Sequence, residues 1–492
     1  MIVGLDIGTT NLKAGLFDET GNLVRSVHRP NESRLHPDGI VYYDPDRLWA
    51  NVSAMIAQLA EDNESGAIRS IGITSMAESG LLVDRATGQV KSAILPWFER
   101  CSIRQARLVE DEIDVFEHFR QTGLRPSFKH GLSKLLWLKE RHPDALRSSV
   151  WLSVSSYIAF RLTGKMAEEY TLAARTYAFR IMDKQWDAAL LRHFDMEESL
   201  FPPAIPSGEP TGRVTGSVAR ALGLNAGTTV FQAGHDHVCA SLAVGAVHAG
   251  DVYNSMGTAE TMVGVFPVRT LTEADYACGL SFGLHPVSNR LYWMGGHSYS
   301  GGSVEWLREL IGVEQVGYEE VLGWLDGVPA GPSGIVFLPY LAGSGAPLPD
   351  SQAKAAFISL TARHGKGDLL RAVLEGNAYQ MEAIRRCAES VSGGRIRLMR
   401  VVGGGTRNRH WLQLKADVSG IALEVPDIPE AALAGAAITA GVGCGLYASY
   451  EEAAAGGTGY GKLVYTPDAK RHKLYSSLYE GQYLKYRDML RS

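Results

Sequence analysis

Cysteine is scarce in this chain, and the few that occur are badly placed for cross-linking. Five stand among 492 residues: Cys101, Cys239, Cys278, Cys387 and Cys444. None forms a C-x-x-C pair. An odd, scattered set excludes a disulfide framework and points to a reducing compartment, so the cytoplasm is the expected location. Long apolar runs are also missing. None reaches the ~18 residues of a membrane-spanning helix. The chain enters a strand pattern at Ile2, without the charged leader and apolar core of a signal peptide. Positive charge is not in excess. A formal net charge of -5 argues against a nucleic-acid partner, which demands a basic face, and gives no reason to expect a membrane surface. There is no low-complexity segment and no heptad run.

What is present describes a soluble globular protein, with 45% hydrophobic and 21% charged residues. The length exceeds one ordinary core, so two large domains are expected. The 54 glycines cluster in loops between strands and helices.

Residues 2–7, 12–17 and 22–27 read as three strands with tight turns. Asp44-Pro45 opens a helix, with Asp44 as cap and Pro45 at the first helical position. Leu48, Val52, Met55, Ile56 and Leu59 form its buried stripe. Residues 70–74 read as a buried strand, which completes a crossover unit. Residues ~100–200 look mostly helical, a substrate-side insertion on the first domain. Pro202, Pro203, Pro206 and Pro210 mark a loop-rich passage. Residues 230–233 return to strand. From about Asp251 the hairpin pattern begins again, and long helices follow at ~368–390 and ~408–420.

The chemistry sits in the turns. Asp6-Ile7-Gly8-Thr9-Thr10 joins the first two strands, and Ser255-Met256-Gly257-Thr258-Ala259 joins a similar pair in the second half. Such hairpins offer backbone N–H groups and hydroxyls to phosphate oxygens. Gly8 lets a phosphate approach the backbone without a Cβ clash. Thr9, Thr10 and Asn11 supply donors, Asp6 can hold a Mg²⁺-bound water, and Lys13 can reach a transferring phosphoryl group. A plain hairpin with polar turn residues is the alternative for either turn alone. The pair together points to two domains gripping one nucleotide phosphate chain.

Asp236, in AGHDHVCASLAVG, follows an apolar strand and a glycine. A partly desolvated carboxylate there suits general-base work on an attacking hydroxyl. His235-Asp236-His237 also resembles a ligand set. Adjacent residues on a strand point to opposite faces, however, and two histidines leave a zinc site incomplete. At least one of the histidines is expected to bond backbone. Gly403-Gly404-Gly405-Thr406 lies between strand and helix, where bare backbone can admit an adenine ring or an α-phosphate. It reads equally as a tight turn, and it lacks the Lys-Ser/Thr of a P-loop.

Six segments in order resemble the FGGY carbohydrate kinases. They are GLDIGTTNLKAGLFD, AGHDHVCASLAVGAV, GDVYNSMGTAETM, FLPYLAGSGAPLPD with LLRAVLEGNAYQM, VVGGGTRNRHWLQLKADVSG, and AALAGAAITAGVG. The resemblance spans nearly the whole chain. It implies an α/β fold of two actin-like, ribonuclease-H-like domains with an interdomain cleft for ATP and sugar. It makes 1–245 the sugar-binding side with its helical insertion, and 246–492 the nucleotide-binding side.

It further implies that Asp236 deprotonates a sugar hydroxyl. Gly8, Thr9, Thr10, Asn11 and Lys13 would hold the β- and γ-phosphates, with Gly257, Thr258 and Gly302 opposite. Asp6 and Asp236 would face Mg²⁺. Gly404, Gly405 and Asn408 would meet the adenosine. The sugar positions correspond to Met76, Ala77, Glu78, Trp97, Phe98, Glu99, Asp236 and His237. Glu78 matches a glutamate of glycerol kinases, while the arginine before theirs is Ala77 here. The Met-His-Gly of many xylulokinases is absent. The Trp-x-Asp-x-Arg element is altered around Trp97, and no arginine follows the turn at Ala342-Gly343-Ser344-Gly345.

The implied reaction is ATP-dependent phosphorylation of a primary hydroxyl on a pentulose, hexulose or four- to six-carbon polyol. Its partner is that small molecule, and a homodimer is left open. The different-class alternatives are an actin-like ATPase module that works by conformational change and a catalytically lapsed sugar sensor. Trp97, Phe98 and Glu99 beside Glu78 favour the sugar pocket, because sugars stack on aromatic faces and bond to carboxylates. Lys13 and Asp236 together argue against the lapsed form.

Overall fold

A computed structural model describes residues 1–61, 67–329, 331–457 and 462–490. Two mixed sheets organise the chain. In the first, strand Ile2–Ile7 lies centrally. Asn11–Phe17 and Leu23–Pro30 continue it antiparallel on one side. Ser70–Ser75 and Thr229–His235 continue it parallel on the other, and Pro210–Arg213 closes that edge.

The second sheet repeats the plan. Val252–Met256 is central, with Glu260–Pro267 and Arg290–His297 antiparallel on one side. Leu398–Val402 and Ala422–Pro426 lie parallel on the other. Edge strands Ser281–Leu284 and Lys462–Tyr465 complete it. With the edge strands Pro210–Arg213, Ser281–Leu284 and Lys462–Tyr465 set aside, both sheets run third, second, first, fourth, fifth from the same starting strand. The duplication suggested by two short turns is a duplication of whole sheets.

Local chemistry explains the elements. Asp44 accepts the N–H groups of Asp46 and Arg47, and so caps helix Pro45–Glu61. The five apolar residues read from periodicity are all buried, together with Pro45. Each contributes about 1.5–3 kcal/mol by leaving water. The stretch from 100 to 200 holds the expected helices, at 103–112, 115–122, 131–141, 154–163, 170–174 and 188–193, with the buried strand Ser149–Ser153 among them.

Helix Ala431–Gly443 comes from the second half of the chain yet covers the first sheet and packs on helix Asp236–Ala243. Glycines allow this contact. A Cβ on Gly72 would stand 2.0 Å from the Ala436 carbonyl oxygen, and one on Gly435 would stand 1.9 Å from that of Cys239. The two halves thus meet backbone to backbone beside Asp236. Among the described residues no helix is long and apolar enough to cross a membrane.

Candidate active site

The strand reading of His235-Asp236-His237 needs correction. The strand ends at His235, after a register shift between Gln232 and Gly234 and a positive φ of 96° at Gly234. Asp236 instead opens helix Asp236–Ala243. Its carboxylate sits at the positive end of a helix and is half-buried, not enclosed. One oxygen accepts the His237 N–H at 2.7 Å and lies 3.3 Å from His235 Nε2. His237 turns away, towards the Tyr253 hydroxyl of the second sheet at 3.5 Å. The alternation argument against a shared metal therefore does not hold in its original form. Among the described residues, no three His, Cys, Asp or Glu side chains converge on an ion.

At the first hairpin the strongly perturbed carboxylate is Asp6. It is 7% exposed, and its Oδ1 is buried without a hydrogen-bond partner. Burial, reinforced by Asp236, raises its pKa to about 7, against the pull of Lys13. An orphaned carboxylate oxygen suits a hard cation or its bound water, so the site fits Mg²⁺. Lys13 pairs with Glu430 at 2.7 Å. Burial opposes the lysine's charge, but that pair holds its pKa above the ordinary value. Glu430 immediately precedes helix Ala431–Gly443, so the second half supplies the counter-ion to the first hairpin. Asp6, Lys13, Asp236 and Glu430 are thus one electrostatic group.

The first hairpin is braced from behind. Gly8 N–H bonds Asn11 O at 3.1 Å, Asn31 donates to the carbonyls of Gly8 and Thr10, and Tyr43 donates to that of Thr9. Trp97 Nε1 donates to Thr9 Oγ1 at 3.0 Å, while that hydroxyl meets Met76 sulfur at 3.7 Å. Two expected sugar residues are therefore locked to an expected phosphate residue. Thr10 and Asn11 remain exposed.

The second hairpin anchors its neighbours. The N–H groups of Ser300, Gly301 and Gly302 donate to the carbonyls of Thr258, Gly257 and Thr258 at 2.8, 3.0 and 3.1 Å. The start of helix Gly301–Leu310 is therefore held by the turn itself. Gly403 and Gly405 press on Met256, where a Cβ would fall 2.6 and 2.9 Å from its atoms. Gly257, Thr258, Gly302, Gly404 and Gly405 accordingly form one neighbourhood. Asn408 is fully buried; its Oδ1 caps helix Arg409–Ser419 through Trp411 N–H at 2.9 Å.

Glu260, next after the hairpin, is the hub beneath. Its oxygens take both Lys415 contacts at 2.6 and 2.7 Å, Ser300 at 2.7 Å and Asn254 at 2.8 Å. Lys415 and Glu260 are 0% and 1% exposed. Against the upward pull of burial, the lysine charge holds the carboxyl well below its usual range. This pair ties the hairpin to the helix behind the glycine loop.

The acceptor side is built round Glu78, which adopts a φ of 57°. Lys134 Nζ donates to its carbonyl. Arg175 grips one carboxylate oxygen through Nε at 2.9 Å and through Nη2. Despite burial, Arg175 and then Lys129 keep Glu78 ionised, well below its usual range. Arg175 also reaches Ser281 of the second sheet at 3.4 Å. Burial lowers His130 to about 3, His235 to about 4 and Lys134 to about 7. Ala77 is buried beside Glu78. Phe98 packs edge-on to Trp97, with ring centres 5.5 Å apart. Glu99 is a brace: its two oxygens accept the N–H groups of Val41 and Cys101 at 2.7 and 2.8 Å.

Glu430, Arg175, Lys134, Tyr253, Glu260 and Lys415 escaped the sequence reading. Only Lys415 carried a local signal, since it lies four residues after Trp411 on the buried stripe of its helix.

Known proteins are similar to this chain over most of its length. The model for the N-terminal domain of the FGGY family of carbohydrate kinases matches residues 1–243, and that for the C-terminal domain matches residues 252–444. The chain is 28% identical to a xylulose kinase of Staphylococcus epidermidis over 488 residues, covering 97% of this chain and 95% of that one. It is 30% identical to an L-fuculokinase of Salmonella typhi over 463 residues, covering 92% and 95%. A gluconate kinase structure from Lactobacillus acidophilus superposes with a TM-score of 0.92 at 22% identity, covering 99% of this chain and 98% of that one. A xylulose kinase structure from Rhodospirillum rubrum gives 0.88 at 26%, with the same coverage. Sheet order, hairpins and both domain matches agree: the chain belongs to the FGGY family of carbohydrate kinases, with their two-domain actin-like fold.

Proposed function

We propose that this phosphotransferase moves the γ-phosphoryl group of ATP to a primary hydroxyl of a small sugar or polyol, with Asp236 as general base. The observation that carries the reading is the single electrostatic group of Asp6, Lys13 and Asp236, beside the turn that holds Thr9. The acceptor is a pentulose, a hexulose or a four- to six-carbon polyol. Its hydroxyls meet Glu78 as acceptor and Arg175 as donor, while Trp97 offers a ring face.

The transition state of phosphoryl transfer is loose, so positioning and charge neutralisation dominate. Gly8, Thr9, Thr10 and Asn11 receive the terminal phosphates from one side, and Gly257, Thr258 and Gly302 from the other. Gly404 and Gly405 shape the adenosine side, on a loop that Asn408 fixes. Asp6 would hold Mg²⁺, which would supply positive charge to offset that of the phosphates. Lys13 leaves or shares Glu430 to reach the transferring group. Asp236 orients the hydroxyl and takes its proton. Closure of the halves excludes water and limits wasteful ATP hydrolysis.

ADP release measured across a panel of polyols, ketoses and sugar acids tests the reading. Stimulation by one polyol or ketose is expected. Hydrolysis indifferent to every member, or stimulated only by sugar acids, would contradict it.

A further inference from the structure

A cavity of about 260 Å³ lies between the two halves, apart from the hairpins. One wall comes from the first half, at 169–184 and 206–207, and the other from 284–290 of the second. Asp6, Lys13, Glu78, Trp97 and Asp236 do not line it. The mechanism leaves it unused.

Two of its polar groups are donors without acceptors. His285 is 6% exposed, and burial lowers its pKa to about 3, so the ring is neutral. Its Nδ1 accepts the Val287 N–H at 3.2 Å. The ring proton must then sit on Nε2, which is buried and has no partner. Arg290 Nε, on the same wall, is likewise a buried donor without an acceptor. Lys184, exposed and with its Nζ 6.0 Å from the centre of the Tyr170 ring, lines the cavity from the other half, and among the described residues neither it nor Arg290 forms an ion pair. Glu169 also lines the cavity, but its oxygens are occupied by Ser207, Thr171 and Leu172. Buried orphan donors are costly, and two of them, one on the Arg290 cation, beside a second cation at Lys184 are complementary to an oxyanion.

We infer that this cavity binds a small phosphate monoester with a sugar-sized body, outside the catalytic cleft. The volume lies just under the ~300–1,000 Å³ of typical small-molecule sites and leaves room for a carbon chain beside a phosphate. The hydroxyl of Ser288 lies on the same lining. An occupant spans both halves and favours the arrangement that keeps both walls against it. The inner wall leads to the catalytic strand, because Thr171 Oγ1 accepts the His235 N–H at 2.8 Å.

Calorimetric titration of the full chain with ribose 5-phosphate and glycerol 3-phosphate tests this, beside inorganic phosphate and the free alcohols. The expected result is saturable ester binding, weakened about tenfold or more in Arg290→Met and again in Lys184→Met, as for loss of a charge-assisted contact. Inorganic phosphate should bind more weakly and the alcohols not at all. Lys184→Met serves alone if the arginine variant does not fold. Absence of saturable ester binding at millimolar concentration overturns the proposal. So does affinity unchanged in both variants, or inorganic phosphate binding as tightly as the esters.

Discussion

Replacing Asp6 by asparagine should stabilise the protein while abolishing its catalysis, and the gain should depend on pH. Asp6 is buried with one oxygen unpartnered, and burial with Asp236 lifts its pKa from 3.8 to about 7. Between those two values the folded chain binds more protons than the unfolded chain. Stability therefore falls as pH rises through that window, and the whole cost is present above it. Three units at about 1.36 kcal/mol each put the cost at ~4 kcal/mol. An amide at this position carries no such charge. Urea unfolding of both proteins from about pH 4 to about pH 8 should show a gap near zero at the acid end, widening to about pH 7 and then constant. Mg²⁺ with ATP should narrow the gap, because only the carboxylate gains from the ion. A variant that matches the natural protein at every pH, or is less stable near pH 8, would refute the reasoning.

Two further changes probe the supports of the site. Lys415→Met leaves Glu260 buried and charged without its cation, so a loss of about 3–5 kcal/mol is expected in urea unfolding. Adding Glu260→Gln should return much of that loss, and a double variant no more stable than the single one would contradict an ionised pair. Trp97→Phe removes the bond to Thr9 at 3.0 Å. A loss of about 0.5–1.5 kcal/mol should appear as a rise of up to ~10-fold in KM for ATP as well as for the acceptor. A change confined to the acceptor would show that Trp97 does not position the phosphate turn.

The sequence carried the parts of the fold that depend on neighbours in the chain. Gly8 and Gly257 stand between apolar strands, so both hairpins were legible, and the cap at Asp44 with its five-residue stripe was readable from spacing alone. Asp236 was found, but its setting was not. A strand that stops one residue earlier, where Gly234 takes a positive φ, turns the carboxylate from a strand face to a helix start. Asn408 and Glu99 were legible as polar groups near the site, yet their side chains are spent on backbone N–H groups. The partners of the site were invisible for a plain reason. Lys13 and Glu430 are 417 positions apart, Glu260 and Lys415 are 155 apart, and Glu78 and Arg175 are 97 apart. Periodicity and turn chemistry report on a few residues at a time, whereas these pairs exist only once segments far apart in the chain have packed together.

The most direct test of the account is the turnover of Asp236→Asn with a responsive sugar or polyol, measured alongside its ATP affinity. The account predicts a fall in kcat of about 10²–10⁴-fold, as for loss of a general base, with ATP affinity changed by less than ~3-fold. Turnover near that of the natural protein would contradict it.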